Sequence, residues 1–237
     1  MDTQSHHCPL CESTNNRLHF SDKHRDYYRC NLCRVIFVPP VFWLSADEEK
    51  AIYDYHENSP NDSHYRQFLS RLTKPLQQRL KTPSFGLDFG CGPGPTLSIM
   101  LQEQGHQVAI YDHFYADNTA VFNRCYDFIT ATEVIEHLHY PRKELERLWQ
   151  LLTAPGYLGL MTKLIPEDKP FSQWHYKNDL THIIFYAKET MQWIAQQWQA
   201  DLTLMGNDVI LLQKNLMKDH ATTEVLHAHV QNISLDH

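Results

Sequence analysis

Apolar residues in the middle of this chain fall in short runs, separated by stretches in which they recur at helical spacing. That alternation predicts the architecture. Phe85–Phe89, Gln107–Tyr111, Asp127–Thr130 and Tyr157–Met161 read as strands. Pro95–Gln104 reads as a helix ended by Gly105 at its C′ position. Pro141–Leu152 reads as another, with Leu145, Leu148 and Leu152 on one face and Gly156 beyond it. A third, Glu189–Gln199, carries Met191, Ile194, Ala195 and Trp198 at i, i+3, i+4 and i+7. Leu202–Met205 and Val209–Gln213 then flank Gly206, Asn207 and Asp208, a hairpin turn. Strands alternating with helices and closing in a hairpin predict an α/β fold, a doubly wound and mostly parallel sheet over residues 83–214.

The flanks read differently. Residues 41–82 are helical in pattern. Ser45 and Glu48 fit a capping box, and Phe68, Leu69, Leu72, Leu76 and Leu80 keep helical spacing through Pro75, which is expected to kink or break the helix. Residues 1–40 hold two Cys-x-x-Cys pairs and a short strand, Val35–Val38, stopped by Pro39 and Pro40. Residues 215–237 show little pattern and read as a frayed or partner-packed tail.

Composition narrows the function classes. A chain of 237 residues that is 42% hydrophobic can fill one sizeable α/β core and carry a small module beside it. A formal charge of −7, with Lys and Arg scattered, disfavours a phosphate backbone as partner. The start lacks the apolar segment of a secretory signal, and no stretch approaches the roughly 20 apolar residues that span a bilayer. A cytoplasmic protein with no membrane partner is the expectation.

The most informative run is Leu87-Asp88-Phe89-Gly90-Cys91-Gly92-Pro93-Gly94, a strand that ends in a glycine-rich turn before a helix. A dinucleotide fingerprint needs a third glycine where Pro95 stands, and Pro93 and Pro95 remove two N–H donors that a diphosphate would require. The loop suits a cofactor that needs bare backbone close by but no phosphate. Asp112 ends the next strand, where a carboxylate can accept from both hydroxyls of a ribose.

These runs, followed by Tyr126–Leu138 with Thr132-Glu133-Val134-Ile135-Glu136-His137 at its heart, resemble the class I S-adenosylmethionine-dependent methyltransferases, nearest the subgroup with an EVxEH motif after the fourth strand. The resemblance covers roughly residues 83–214. It implies a Rossmann-like seven-stranded sheet with an antiparallel last strand and S-adenosylmethionine as cofactor. It places Gly90, Gly92 and Gly94 at the methionine part, with Cys91 in the same cofactor loop, Asp112 on the ribose, and Thr132, Glu133 and His137 near the reacting end, while Asp88 orders the loop. The chain departs from the family between Asp112 and Asp127, where only 14 residues stand in place of a helix and a strand. A trimmed sheet edge is expected, with His113 and Phe114 or Tyr115 beside the adenine.

Cys8, Cys11, Cys30 and Cys33 form two Cys-x-x-Cys pairs separated by 18 residues, a spacing that resembles a zinc ribbon. Four thiolates leave no open position, so the metal is expected to be structural; iron fits the same ligands. Beyond the Tyr157–Met161 strand, residues 171–182 are dense in rings and titratable groups and form the expected acceptor wall. His175 and His182, with His137, are the candidate bases. Tyr53, Tyr55, His56 and Tyr65 are candidates for a lid. The acceptor is expected to be a small molecule or protein, with RNA left open. Two rival readings are a non-enzymatic zinc-ribbon interaction protein with a vestigial Rossmann domain, and a nicotinamide-dependent oxidoreductase, which Pro95 weakens.

Overall fold

The computed structural model describes residues 6–55 and 58–216. In chain order the elements are β1 (Asn16–Ser21), β2 (Asp26–Cys30), β3 (Ile36–Phe37), α1 (Ala46–Tyr53), α2 (Ser63–Gln77), β4 (Phe85–Phe89), α3 (Thr96–Glu103), β5 (Gln107–Tyr111), β6 (Tyr126–Thr132), α4 (Pro141–Leu151), β7 (Leu152–Met161), β8 (Ile184–Phe185), α5 (Lys188–Trp198), β9 (Asp201–Met205) and β10 (Val209–Lys214). Most of the tail expected at 215–237 lies outside the described residues. Among those described, no helix is long and apolar enough to cross a membrane.

The main sheet has six strands in the order β5-β4-β6-β7-β10-β9. β4, β5, β6 and β7 run parallel, and β10 is antiparallel to both its neighbours. The seventh strand implied by the family resemblance is missing at the β5 edge, where the short stretch after Asp112 forms a 3-10 turn, Thr119–Asn123, instead. Alternate residues feed opposite faces, as the pleat requires. Phe128, Val209 and Leu211 pack with α2 and α3, whereas Ile129, Ile210 and Leu212 pack with α4 and α5.

Local chemistry accounts for the helices near the site. Ser45 caps α1 in a full capping box with Glu48, and Asp62 caps α2. Pro75 does not break α2, which runs on to Gln77. The proline falls in the last turn, so the one i→i−4 bond it removes leaves little helix beyond it to unravel, and Leu69, Leu72 and Leu76 hold the helix down by their burial.

The cysteine-bearing N-terminus forms a second sheet in the order β1-β2-β3-β8. Its fourth strand is Ile184–Phe185, contributed from the far side of the chain. The boundary expected at residue 40 is therefore crossed by a shared sheet. It is also crossed by a continuous core in which Cys8, Tyr27 and Val35 join Phe171, Trp174 and Phe185.

Candidate functional site

The carboxyl ends of β4, β5 and β6 open onto a cavity of about 910 Å³. Its floor is the glycine loop. Gly90 sits at φ +74°, and a Cβ there would lie 2.3 Å from Val134 Cγ2, so both conformation and space demand glycine. The Gly90 and Cys91 N–H groups donate to the Tyr111 carbonyl at 2.7 and 3.2 Å, tying the loop to the end of β5. Both carboxylate oxygens of Asp112 are engaged by backbone. Its Oδ2 accepts from the Gly92 N–H at 2.9 Å, and its Oδ1 accepts from Phe114 and Tyr115 at 2.9 and 3.1 Å. One carboxylate thus sets the glycine loop and the turn carrying Phe114.

Asp88 points into the sheet end and is buried, with Thr130 Oγ1 donating to it at 2.9 Å. Burial pushes its carboxyl up to about 7. Burial likewise pushes the Cys91 thiol up to about 12, so it stays protonated. Asp88, Gly90, Cys91, Gly92, Gly94, Asp112, His113, Phe114, Thr132 and Glu133 all line this one cavity.

A lid covers the loop from the N-terminal side. The Asn58 carbonyl comes so close to Gly94 that a Cβ there would sit 1.9 Å from it, and Thr96 Oγ1 donates to the same carbonyl at 3.2 Å. Tyr53 and Tyr65 line the cavity, while Tyr55 is 86% exposed. His56 lies outside the described residues. Tyr115 Oη donates to Asp54 at 2.6 Å, joining the end of α1 to the β5 turn. Glu49, which sequence reasoning passed over, is buried in the lid and bonds His139 Nε2 at 3.0 Å.

The reacting end is built where β6 runs out. Glu133 takes φ +53°, and Ile135–His137 form a 3-10 turn that turns Glu136 completely inward. Tyr176 Oη donates to Glu136 Oε1, and Glu136 Oε2 has no partner among the described residues. Burial raises both the Glu133 and Glu136 carboxyls. His137 Nδ1 meets the Thr181 carbonyl at 3.1 Å, and His182 Nδ1 meets the Tyr176 carbonyl at 2.8 Å. A carbonyl accepts only, so each Nδ1 carries a proton. The rings lie 4.7 Å apart. Burial, then the neighbouring His137, lowers the His182 pKa below the usual imidazole value.

His175 is not brought to this site. It is exposed at the start of a 3-10 turn and lines no part of the cavity. Its neighbours Trp174 and Tyr176 are buried, and their inward rings turn His175 outward. Of the expected acceptor wall only Asp179 and His182 reach the cavity; Phe171 and Trp174 pack instead against Phe185 in the shared core. Glu136 escaped sequence reasoning as a separate feature, although its place three residues after Glu133 was a usable signal.

Two groups of side chains have the chemistry of metal ligands. The four cysteine sulfurs lie within 4.8 Å of one another, with Cys8–Cys33 at 3.5 Å and Cys11–Cys30 at 3.4 Å. A tetrahedral zinc with bonds of about 2.3 Å needs sulfurs about 3.8 Å apart, so the four fit it and leave no position open. Glu136, His137 and His182 also bring ligand atoms within 4.8 Å of one another.

The sheet, the glycine turn and the acid at the next strand end define a doubly wound α/β protein with its ligand at the carboxyl ends of the strands. Residues 62–204 match the model of the methyltransferase domain family, and the chain belongs to that family. No curated protein matches it. Among solved structures it resembles the Burkholderia thailandensis 1,6-didemethyltoxoflavin-N1-methyltransferase, bound to 1,6-didemethyltoxoflavin and S-adenosylhomocysteine. That likeness has 15% identity over 84% of this chain and 100% of that one, with a TM-score of 0.49. It also resembles the plantazolicin methyltransferase BpumL at 16% identity, covering 73% and 92% of the two chains with a TM-score of 0.47. The protein PH0226 of Pyrococcus horikoshii OT3 is similar at 15% identity, over 70% and 98%, with a TM-score of 0.45.

Proposed function

We propose that this protein transfers the methyl group of S-adenosylmethionine to a small molecule or a protein side chain, and that its Glu133–His137 run puts it in the EVxEH-containing subgroup. The observation that carries this reading is the single cavity shared by the glycine loop, Asp112 and the His137–His182 pair. Bound there, the cofactor supplies an electrophilic methyl on a sulfonium. Asp112 accepts from the ribose hydroxyls, the bare loop backbone admits the methionine part, and Phe114 with Tyr115 forms the adenine wall. His182, neutral at physiological pH and with Nε2 free to accept, removes the acceptor's proton, and Asp179, whose carboxylate is 3.8 Å from Nε2, steadies the imidazolium that results. The carboxylates of Asp112 and Asp179 on the cavity wall, in a chain of formal charge −7, favour a small or proteinaceous acceptor over RNA. The four cysteines hold a structural zinc.

Isothermal titration of the full chain with S-adenosylmethionine tests the reading. Micromolar binding supports it, and no binding by folded protein returns the chain to a non-enzymatic interaction protein. One observation favours a variant of the chemistry: Glu136, His137 and His182 could together hold a divalent cation that acidifies the acceptor. Turnover abolished by chelation and restored by magnesium or manganese would favour it over the histidine base.

A further inference from the structure

We propose that Arg25, on the hairpin of the cysteine-bearing sheet, is the positioning residue for His137 and His182, which makes that sheet part of the catalytic apparatus. The inference rests on reading the cavity as the site of transfer.

Arg25 lies in the turn between β1 and β2 and is 2% exposed. Its guanidinium enters the loop that leads to His182. Nη2 donates to the Lys177 carbonyl at 2.7 Å and to the Asp179 carbonyl at 2.8 Å, and Nη1 donates to the Leu180 carbonyl at 2.9 Å. Nε donates to Tyr27 Oη at 2.9 Å. Three carbonyl oxygens drawn to one point repel one another. A planar fork of N–H donors gathers them, which a lysine ammonium cannot reproduce in the same geometry. The charge is balanced at one remove, because Tyr27 Oη donates to Asp22 at 2.9 Å.

The same loop orients both imidazoles. The Tyr176 carbonyl takes the proton of His182 Nδ1, and the Thr181 carbonyl takes that of His137 Nδ1. Thr181 is itself fixed through its N–H and hydroxyl to Asp179 Oδ1 at 2.9 and 2.6 Å. The carbonyls that Arg25 holds, those of Lys177, Asp179 and Leu180, therefore lie between the two that set the rings. Beyond His182 the chain is tied to the same sheet again: the Val38 N–H donates to the Ile183 carbonyl at 2.9 Å, and β8 pairs with β3. His182 thus sits between two attachments to the N-terminal sheet. His139, on the cavity's other wall, takes its partners from the lid and has no bond to this sheet. With Arg25 gone, the loop carbonyls relax apart and both rings lose their fixed tautomer. Displacement of a positioned group by about 1 Å is enough to cost on the order of 10²-fold in rate.

The test uses the zinc-loaded full chain labelled with ¹⁵N-histidine, at about pH 8, where free imidazole is neutral. Long-range ¹H–¹⁵N spectra read which nitrogen bears the proton, and His137→Gln and His182→Gln spectra assign the two rings. In the wild type both should be Nδ1–H. In Arg25→Lys both should become mixtures with the Nε2–H form, while zinc content and S-adenosylhomocysteine affinity stay within about threefold. Tyr27→Phe, which removes the acceptor of Arg25 Nε, should move the rings the same way to a smaller extent and serves if Arg25→Lys does not fold. Unchanged tautomers in Arg25→Lys, or in Tyr27→Phe where that protein is used, overturn the proposal. Failure of the wild type to bind S-adenosylhomocysteine would instead overturn the transfer reading, and the tautomer spectra would still judge Arg25.

Discussion

Asp88→Asn should change how the stability of this protein depends on pH. Asp88 titrates near 3.8 in an unfolded chain and at about 7 in the fold, because burial penalises its charge more than the Thr130 hydroxyl and the Ser98 N–H relieve it. Between those values the folded chain keeps a proton that the unfolded chain has released. The folded state then binds more protons, and stability falls as pH rises. The contribution is whole below about pH 4 and is lost as pH climbs through about 7. A gap of about three pH units corresponds to about 4 kcal/mol. For a chain of this size, 1 kcal/mol moves the melting temperature by about 2–4 °C, so the full effect is on the order of 10 °C. Asparagine is neutral throughout, and its Oδ1 can still accept from Thr130. Melting curves of the two proteins should therefore agree within about 2 °C at pH 4. They should separate as pH rises from about 4 to about 7 and stay apart above it, with the variant the more stable. Parallel melting temperatures from pH 4 to pH 8 would mean that Asp88 is ionised in the fold, and the account of its burial would be wrong.

Asp112→Ala should weaken S-adenosylmethionine binding by at least an order of magnitude in calorimetry, since ribose bonds worth roughly 1.5–3 kcal/mol each are lost and the glycine loop loses its anchor; unchanged affinity removes Asp112 from the site. Gly94→Ala puts a methyl 1.9 Å from the Asn58 carbonyl, so the lid must move, and cofactor affinity should fall while the melting temperature of the free protein changes by no more than about 3 °C. Elemental analysis should find one zinc per chain, and its removal by a chelator should lower the melting temperature, because Cys8, Cys30 and Cys33 stand in the shared core. A chain that carries no metal as purified and gains no stability when zinc is added would count against the ribbon.

Much of this was legible because it is local. The strand–glycine–helix run at Phe85–Gln104, the acid at the end of β5, the capping box at Ser45 and the two Cys-x-x-Cys pairs are each written within a few residues of sequence. What escaped is long-range. Ile184–Phe185 is a two-residue strand inside a continuous apolar run, and no periodicity says that it joins β3. His175 and His182 looked alike as candidates. The burial of Trp174 and Tyr176 separates them, and rings of that kind suit a core as well as a binding wall. Arg25 reads as one more surface charge until the fold brings it to carbonyls more than 150 residues away.

The missing strand also has a physical consequence at the β5 end of the cavity. Without it β5 is a sheet edge, and an edge left bare invites pairing with another chain. Here the chain turns straight back on itself, with Asp112 and Ala116 exchanging backbone bonds at 3.1 and 3.0 Å. The 3-10 turn that follows buries Val121 and sets Phe122 against Tyr111, with the Arg147 guanidinium 3.7 Å over the Phe122 ring. The edge is thus plugged by rings rather than extended by a strand. The Asp112–Ala116 turn that leads into it carries Phe114 and Tyr115 into the cavity wall, and the N–H groups of both end on Asp112. One carboxylate, that of Asp112, thus sets both the glycine loop and the turn of Phe114 and Tyr115, and through the Tyr115–Asp54 bond it also bears on the end of α1.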